Sequence, residues 1–217
     1  MNNKIKIFSG LAIGFSMTTA VYATVVGFYM GAQGGQSNLH NIQRPMEVGT
    51  TTGSTMSIEN VSPTNTGAAG RFFAGYTMNS YAALEGGFTH YAPSTYTPSA
   101  ANATPPSTTI RENGFDAVGK AMYSFANLGV FLKAGAAFIQ SSLGGSLSAA
   151  ASSGDTGTTI YIRPTAAAGI SYDITPNWVV DLSYSTVFAS GDFQQIDFIA
   201  LGISYHFVDQ YCGQFLY

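Results

Sequence analysis

Along residues 196–207, large apolar side chains alternate with small or polar ones. Ile199, Leu201, Ile203, Tyr205 and Phe207 interleave with Ala200, Gly202, Ser204 and His206. A period of two belongs to a β-strand with two unlike faces. The same rhythm recurs at 24–35, 67–77, 81–91, 113–124, 128–140, 158–173 and 177–188, which predicts eight strands in all. Their connections alternate in length. Met78-Asn79-Ser80, Phe125-Ala126-Asn127 and Ile174-Thr175-Pro176 are short turns. The segments 36–66, 92–112 and 141–157 are long and rich in Ser, Thr, Gly, Asn and Pro, and the last, near 189–195, is shorter.

The alternation sorts the strands into two faces. One carries Phe28, Met30, Phe72, Tyr76, Leu84, Phe88, Phe115, Tyr123, Val130, Leu132, Phe138, Ile170, Tyr172, Leu182 and Tyr184. The other carries Tyr29, Gln33, Arg71, Glu85, Asp116, Lys120, Lys133, Arg163, Ser171 and Asp181. With the apolar set pointing inward, the chain would be a soluble, lipocalin-like barrel with a pocket. With that set outward, it would be a membrane barrel. Periodicity alone does not choose. Short turns at one end and long loops at the other favour the membrane form. The expected fold is therefore all-β, an eight-stranded antiparallel up-and-down transmembrane β-barrel over residues 24–207, followed by a tail, 208–217.

Charge is scarce, with eight Lys+Arg and eleven Asp+Glu, and a net charge of −3 offers no basic footprint for nucleic acid. At the N-terminus, Lys4 and Lys6 precede an apolar core, Ile7 to Thr18, and Val21-Tyr22-Ala23 suits a signal peptidase. Residues 1–23 thus read as an export signal, too short for a comfortable spanning helix. No later apolar run has that length, so a mature chain that spans a membrane must do so as a closed barrel. The single cysteine, Cys212, leaves no intrachain disulfide, and stability is expected from barrel closure.

Two groups of side chains follow from this frame. Tyr76, Tyr123, Tyr172, Trp178, Tyr205 and Phe207 lie near the short-turn end, where amphipathic rings favour a membrane–water interface. Phe72, Phe88 and Phe115 lie nearer the loops and suit a second girdle. Glu85, Lys120, Lys133 and Asp181 stand at similar counts from the turns, all on the charged face, and are expected to form an interior layer of two acids and two bases. Gln33, Arg71, Asp116 and Arg163 are further expected lumen groups. No metal or cofactor is implied: His40, His90 and His206 lack ligand spacing, and the Gly34-Gly35 and Gly144-Gly145 pairs lack a phosphate-loop setting. His90 beside loop serines is the one place where a lipid-modifying triad could be drawn. Asn60-Val61-Ser62 and Asn102-Ala103-Thr104 match glycosylation acceptors, read here as chance matches in Ser/Thr-rich loops.

Several stretches resemble, in order, the OmpA-like eight-stranded transmembrane domain. Gly27-Phe28-Tyr29-Met30-Gly31-Ala32 resembles its first strand, and Gly75 to Tyr81 with Leu84-Glu85 and Gly87-Phe88 its second strand, turn and third strand. Ala166 to Pro176 resembles the sixth strand and turn, and Leu201 to Phe207 the last strand. The resemblance implies an interior charge cluster that plugs the barrel and acts as a gate, with Glu85, Lys120 and Lys133 at matching positions. Ser171 stands where the family has an acid, and Asp181 where it has a base. A terminal aromatic strand, ending here on Phe207 or on Tyr217, would be read by the barrel-assembly machinery.

The expected function is that of a bacterial outer-membrane protein with a structural or adhesin-like role carried by its long loops, and not an enzyme. Its expected partners are outer-membrane lipid, lipopolysaccharide, the assembly machinery and a host or phage ligand at the loops. The alternatives are a narrow porin gated by the interior charges, a lipid-modifying barrel, and the soluble lipocalin-like binder.

Overall fold

A computed structural model describes residues 26–40, 44–50, 56–61, 63–97, 103–104, 108–145, 158–189 and 195–207. The expected export signal 1–23, the expected tail 208–217 with Cys212, and Asn102 lie outside the described residues, as does the side chain of Asn60.

Eight strands form the barrel: β1 Gly27–Leu39, β2 Thr66–Asn79, β3 Ala82–His90, β4 Thr108–Phe125, β5 Leu128–Gly145, β6 Thr158–Asp173, β7 Trp178–Val187 and β8 Ile196–His206. Each pairs antiparallel with its neighbours in sequence, and β8 pairs with β1, from Tyr29↔His206 to Leu39↔Ile196, so the sheet closes. Closure satisfies the backbone groups that an open edge would leave bare in lipid.

The outer surface is the apolar one. Phe28, Met30, Phe72, Leu84, Phe115, Leu132, Ile170, Leu201 and Ile203 are exposed, while Gln33, Arg71, Glu85, Lys133 and Asp181 are buried inside. A soluble barrel would need the reverse, so the lipocalin-like alternative is set aside. Among the described residues no helix is long and apolar enough to cross a membrane; the crossing is made by strands.

The short-turn end is built by local chemistry. Asn79 Oδ1 accepts from the Tyr81 amide at 2.8 Å, an Asx turn between β2 and β3. Between β4 and β5, Ala126 holds φ of 52°, the positive value a two-residue hairpin asks of its first central residue. The 174–177 turn ties itself to β8: the His206 amide donates to Asn177 O at 2.7 Å, and Asn177 Nδ2 donates to His206 O at 2.8 Å.

At the loop end the strands run further than the alternation implied. β1 continues to Leu39 and β4 begins at Thr108, inside segments expected to be loops. Short strands also form within those segments, at Arg44–Thr50, Met56–Val61, Pro63–Thr64, Ser94–Tyr96 and Ala103–Thr104. Beyond the membrane a strand needs no apolar face, so polar Ser/Thr segments pair there without the period-two signature. The 18 residues of β4 and of β5 extend roughly 60 Å along each strand, or about 45 Å along the membrane normal once tilted, against an apolar band near 25 Å. Pro164 is tolerated in β6 because its carbonyl faces the end of β7, where it accepts from the Phe188 amide. The regular pairing of those two strands stops at Thr165↔Val187, so the one bond that the missing N–H of Pro164 cannot donate falls at the ladder's end.

Candidate functional site: a lumen closed by a charge layer and an apolar plug

The lumen is crossed by one connected set of polar side chains. Arg71 on β2 binds Asp116 on β4 with two donors, Nη2 at 2.6 Å and Nε at 3.1 Å. Its Nη1 lies 2.8 Å from Glu85 Oε1 on β3 and donates to Gln33 Oε1 at 3.4 Å. Lys133 on β5 donates to the same Glu85 oxygen at 2.7 Å, and the Tyr29 hydroxyl on β1 donates to Glu85 Oε2 at 3.0 Å. Gln33 Nε2 then reaches β7, donating to Asp181 Oδ1 at 2.5 Å and Ser183 Oγ at 3.2 Å. Glu85, whose side chain is fully enclosed, is the hub, holding two cations and a hydroxyl. Buried charges persist when they are paired and hydrogen-bonded in this way.

Cross-strand register determines which groups meet. Asp181 faces Gly202, Gly202 faces Gln33, and Gln33 faces Arg71. A Cβ on Gly202 would stand 2.5 Å from Asp181 Oδ2 and 2.6 Å from Gln33 Cγ, so only glycine lets the hydrogen bond pass over β8. Gly87 does the same under the Arg71 guanidinium, where a Cβ would lie 2.5 Å from Nη2.

The four residues expected in one layer differ in how they pair. Glu85 and Lys133 form its central ion pair. Asp181 joins through Gln33 rather than through a base. Lys120 faces Lys133 directly across β4 and β5. Like charges at such a position repel, and the two ammonium groups take different partners. Lys133 turns to Glu85, whereas Lys120 Nζ sits over the Phe131 ring at 4.6 Å and the Tyr29 ring at 5.4 Å. Arg71 and Asp116, expected only as lumen groups, complete the layer. The four share one region of the lumen, and strand tilt, which staggers the register around a barrel, sets which of them pair. Arg163 faces inward further up β6, opposite Ala137, with its guanidinium over the Tyr161 ring at 5.3 Å.

Two cavities flank the layer. The one toward the short turns, about 80 Å³, is bordered by Lys120, Ser171, Asp173, Asp181, Ser204 and His206 among others. The one toward the loops, about 30 Å³, is bordered by Arg71, Asp116, Tyr91, Ala137 and Ser185 among others. Lys133 borders both.

Above the second cavity the interior turns apolar. Leu39, Ala69, Tyr91, Ala137, Ile139, Val187, Ile196, Phe198 and Ala200 are buried against one another. A lumen expected to be polar throughout does not include this plug. Its signal was present: Leu39, Ile139, Ile196 and Phe198 are apolar at inward positions, and Phe138-Ile139 and Phe198-Ile199 break the alternation at the loop end.

On the outside, Trp178, Tyr205 and Phe207 form an edge-to-face series with ring centroids 5.1 and 5.0 Å apart, and Tyr76 packs edge-on to Phe28 at 4.8 Å. Tyr123 and Tyr172 are exposed nearby on β4 and β6. Toward the loops, Phe72, Phe88, Phe115 and Phe138 follow one another in register across β2 to β5.

The histidines form no common site. His40 Nε2 is 2.6 Å from Asp197 Oδ2, His90 Nδ1 is 2.6 Å from Asn113 Oδ1, and His206 stacks on Tyr29. Among the described residues no group of three His, Cys, Asp or Glu side chains could hold a metal ion.

Comparison with known proteins places this architecture. Neisserial surface protein A has a similar fold (TM-score 0.55, 18% identity, 83% of this chain and 97% of that one). So does the outer membrane protein OprG from Pseudomonas aeruginosa (TM-score 0.54, 9% identity, 86% and 100%). An uncharacterized protein of Coxiella burnetii is 30% identical over a 177-residue alignment that covers 65% of this chain and 68% of that protein. The family model for the OmpA-like transmembrane domain matches residues 24–211, and the chain belongs to that family of outer-membrane β-barrels.

Proposed function

We propose that this protein resides in a bacterial outer membrane and acts at the cell surface, with the barrel as anchor and the long loops as the contact surface. The observation that carries the reading is the sheet built from those loops. Arg44–Thr50 pairs with Met56–Val61 along one edge, and its end pairs with Ala103–Thr104 along the other. Two separate loops are thereby joined into one ordered platform, and recognition is commonly carried by loops fixed on a rigid scaffold. The polar, Ser/Thr-rich composition suits lipopolysaccharide sugars, or a host or phage ligand. The blocked lumen supports an anchoring role over a transport one.

The test replaces 44–61 or 98–107 with a short Gly-Ser linker and compares outer-membrane fractionation, heat-modifiable migration and the binding of cells bearing the protein to host cells or phage. Intact fractionation with lost binding is expected. Unchanged binding in both variants would refute the surface role. A second reading, the narrow porin, rests on Lys133, which separates the two cavities. It requires channel events in planar bilayers.

A further inference from the structure

The lumen is interrupted twice, by different physics. The charge layer is a set of ion pairs and hydrogen bonds, and Lys133 is the one side chain that borders the cavities on both sides of it. The second interruption lies at the loop end and is mainly apolar, with Glu112 of β4 buried beside it and Arg163 of β6 opposite Ala137 at its margin. Leu39 from β1, Ile139 from β5, Val187 from β7 and Ile196 and Phe198 from β8 meet there in the middle of the barrel.

The segment after β3 is strapped over this plug. Tyr91 turns inward and lies edge-on to Phe198, with centroids 6.5 Å apart. The Ala92 amide donates to Ser37 Oγ on β1 at 2.9 Å, reaching past β2 at Gly67, where a Cβ would stand 2.9 Å from that of Ala92. Ser94–Tyr96 is then zipped to the upper part of β4, Ser94↔Ile110 through Tyr96↔Thr108, and to Pro63–Thr64 on its other edge. Strap and plug are held chiefly by backbone ladders and packed apolar groups, unlike the ion pairs of the charge layer.

We propose that this strapped apolar plug is the seal of the barrel, in series with the charge layer, so that opening the layer alone converts the lumen into a blind vestibule entered from the short-turn end. The proposal concerns the barrel and not the loop platform, so failure of the surface role leaves it standing.

Two readouts test it, on folded protein verified by heat-modifiable migration, with Cys212→Ser in every variant. Ser185→Cys places a thiol beside the cavity between the two closures, and Ser171→Cys places one in the cavity below them. A water-soluble maleimide is expected to label Ser171→Cys readily and Ser185→Cys slowly. Adding Lys133→Ala is expected to speed labelling at Ser185→Cys roughly tenfold, as the thiol becomes accessible. In planar bilayers Lys133→Ala alone is expected to give no channel events, whereas Lys133→Ala combined with Phe198→Ala gives them. If the combined variant does not fold, Lys133→Ala with Tyr91→Ser takes its place. Channel events from Lys133→Ala alone would overturn the proposal. So would a folded combined variant that labels at Ser185→Cys but never conducts.

Discussion

Glu85→Gln is the sharpest test of the charge layer. The substitution keeps volume but removes the charge that holds Arg71 at 2.8 Å and Lys133 at 2.7 Å. The two cations do not suffer equally. Arg71 retains its paired bonds to Asp116. Lys133 loses its direct ion pair and keeps the Phe73 and Phe131 rings, at 5.3 and 5.2 Å. Stranding one buried charge costs about 3–5 kcal/mol. The lower end of that range, about 3 kcal/mol, applies because the amide oxygen still accepts one hydrogen bond and water can reach Lys133 through the neighbouring cavity. Lys133→Met should cost less, since Glu85 keeps Arg71 and Tyr29. The double variant should recover about 2 kcal/mol relative to the sum of the singles, the coupling expected of groups in direct contact. The assay is urea unfolding of protein folded into lipid vesicles, followed by the fluorescence of Trp178, the sole tryptophan. A Glu85→Gln loss below about 0.5 kcal/mol, or a coupling near zero, would refute the account of Glu85 as hub. Lys120→Met serves as the contrast: Lys120 lies over rings rather than in an ion pair, so a change within about 1 kcal/mol is expected.

Three further outcomes follow from the same unfolding assay. Gly202→Ala forces a Cβ against Asp181 and Gln33 and should destabilise by about 1–3 kcal/mol through overpacking; a neutral effect would mean the Gln33 bridge does not cross there. Ala126→Gly relieves a left-handed backbone at φ of 52° and should stabilise by about 1 kcal/mol, which a lower urea midpoint would contradict. Leu132→Arg places a charge on the outward face, four residues above the turn and so about 10 Å up the membrane normal. It should cost about 2–4 kcal/mol in vesicles and far less in detergent; equal costs in both would argue against lipid contact.

The barrel was legible because each spanning strand obeys two solvents at once. Leu132 and Lys133, adjacent in sequence, must face lipid and lumen, and that requirement writes itself as period two. Face assignment therefore survived, from Phe28 and Tyr29 to Asp181 and Leu182. What alternation does not contain is the relative height of strands. The pairing of Arg71 with Glu85, and of Gln33 with Asp181 over Gly202, depends on stagger, which is a property of closure and not of any one strand. Where strands leave the membrane, the two-solvent constraint ends and the signal fades with it. The upper parts of β1 and β4 and the 94–96 strap consequently read as loop. The plug residues Ile139 and Phe198 read as irregularities in a pattern rather than as a core of their own.

Closure also carries a consequence for the order in which the protein forms. Seven of the eight ladders join strands that follow one another in the chain, so a growing sheet can add them one by one at little entropic cost. Only the pairing of β8 with β1 brings together distant parts of the sequence. The Gln33–Asp181 hydrogen bond joins residues 148 positions apart and crosses that seam by way of Gly202. It cannot exist while β1 and β8 are separate edges. Its formation therefore marks the last event of assembly, the moment at which an open sheet becomes a cylinder.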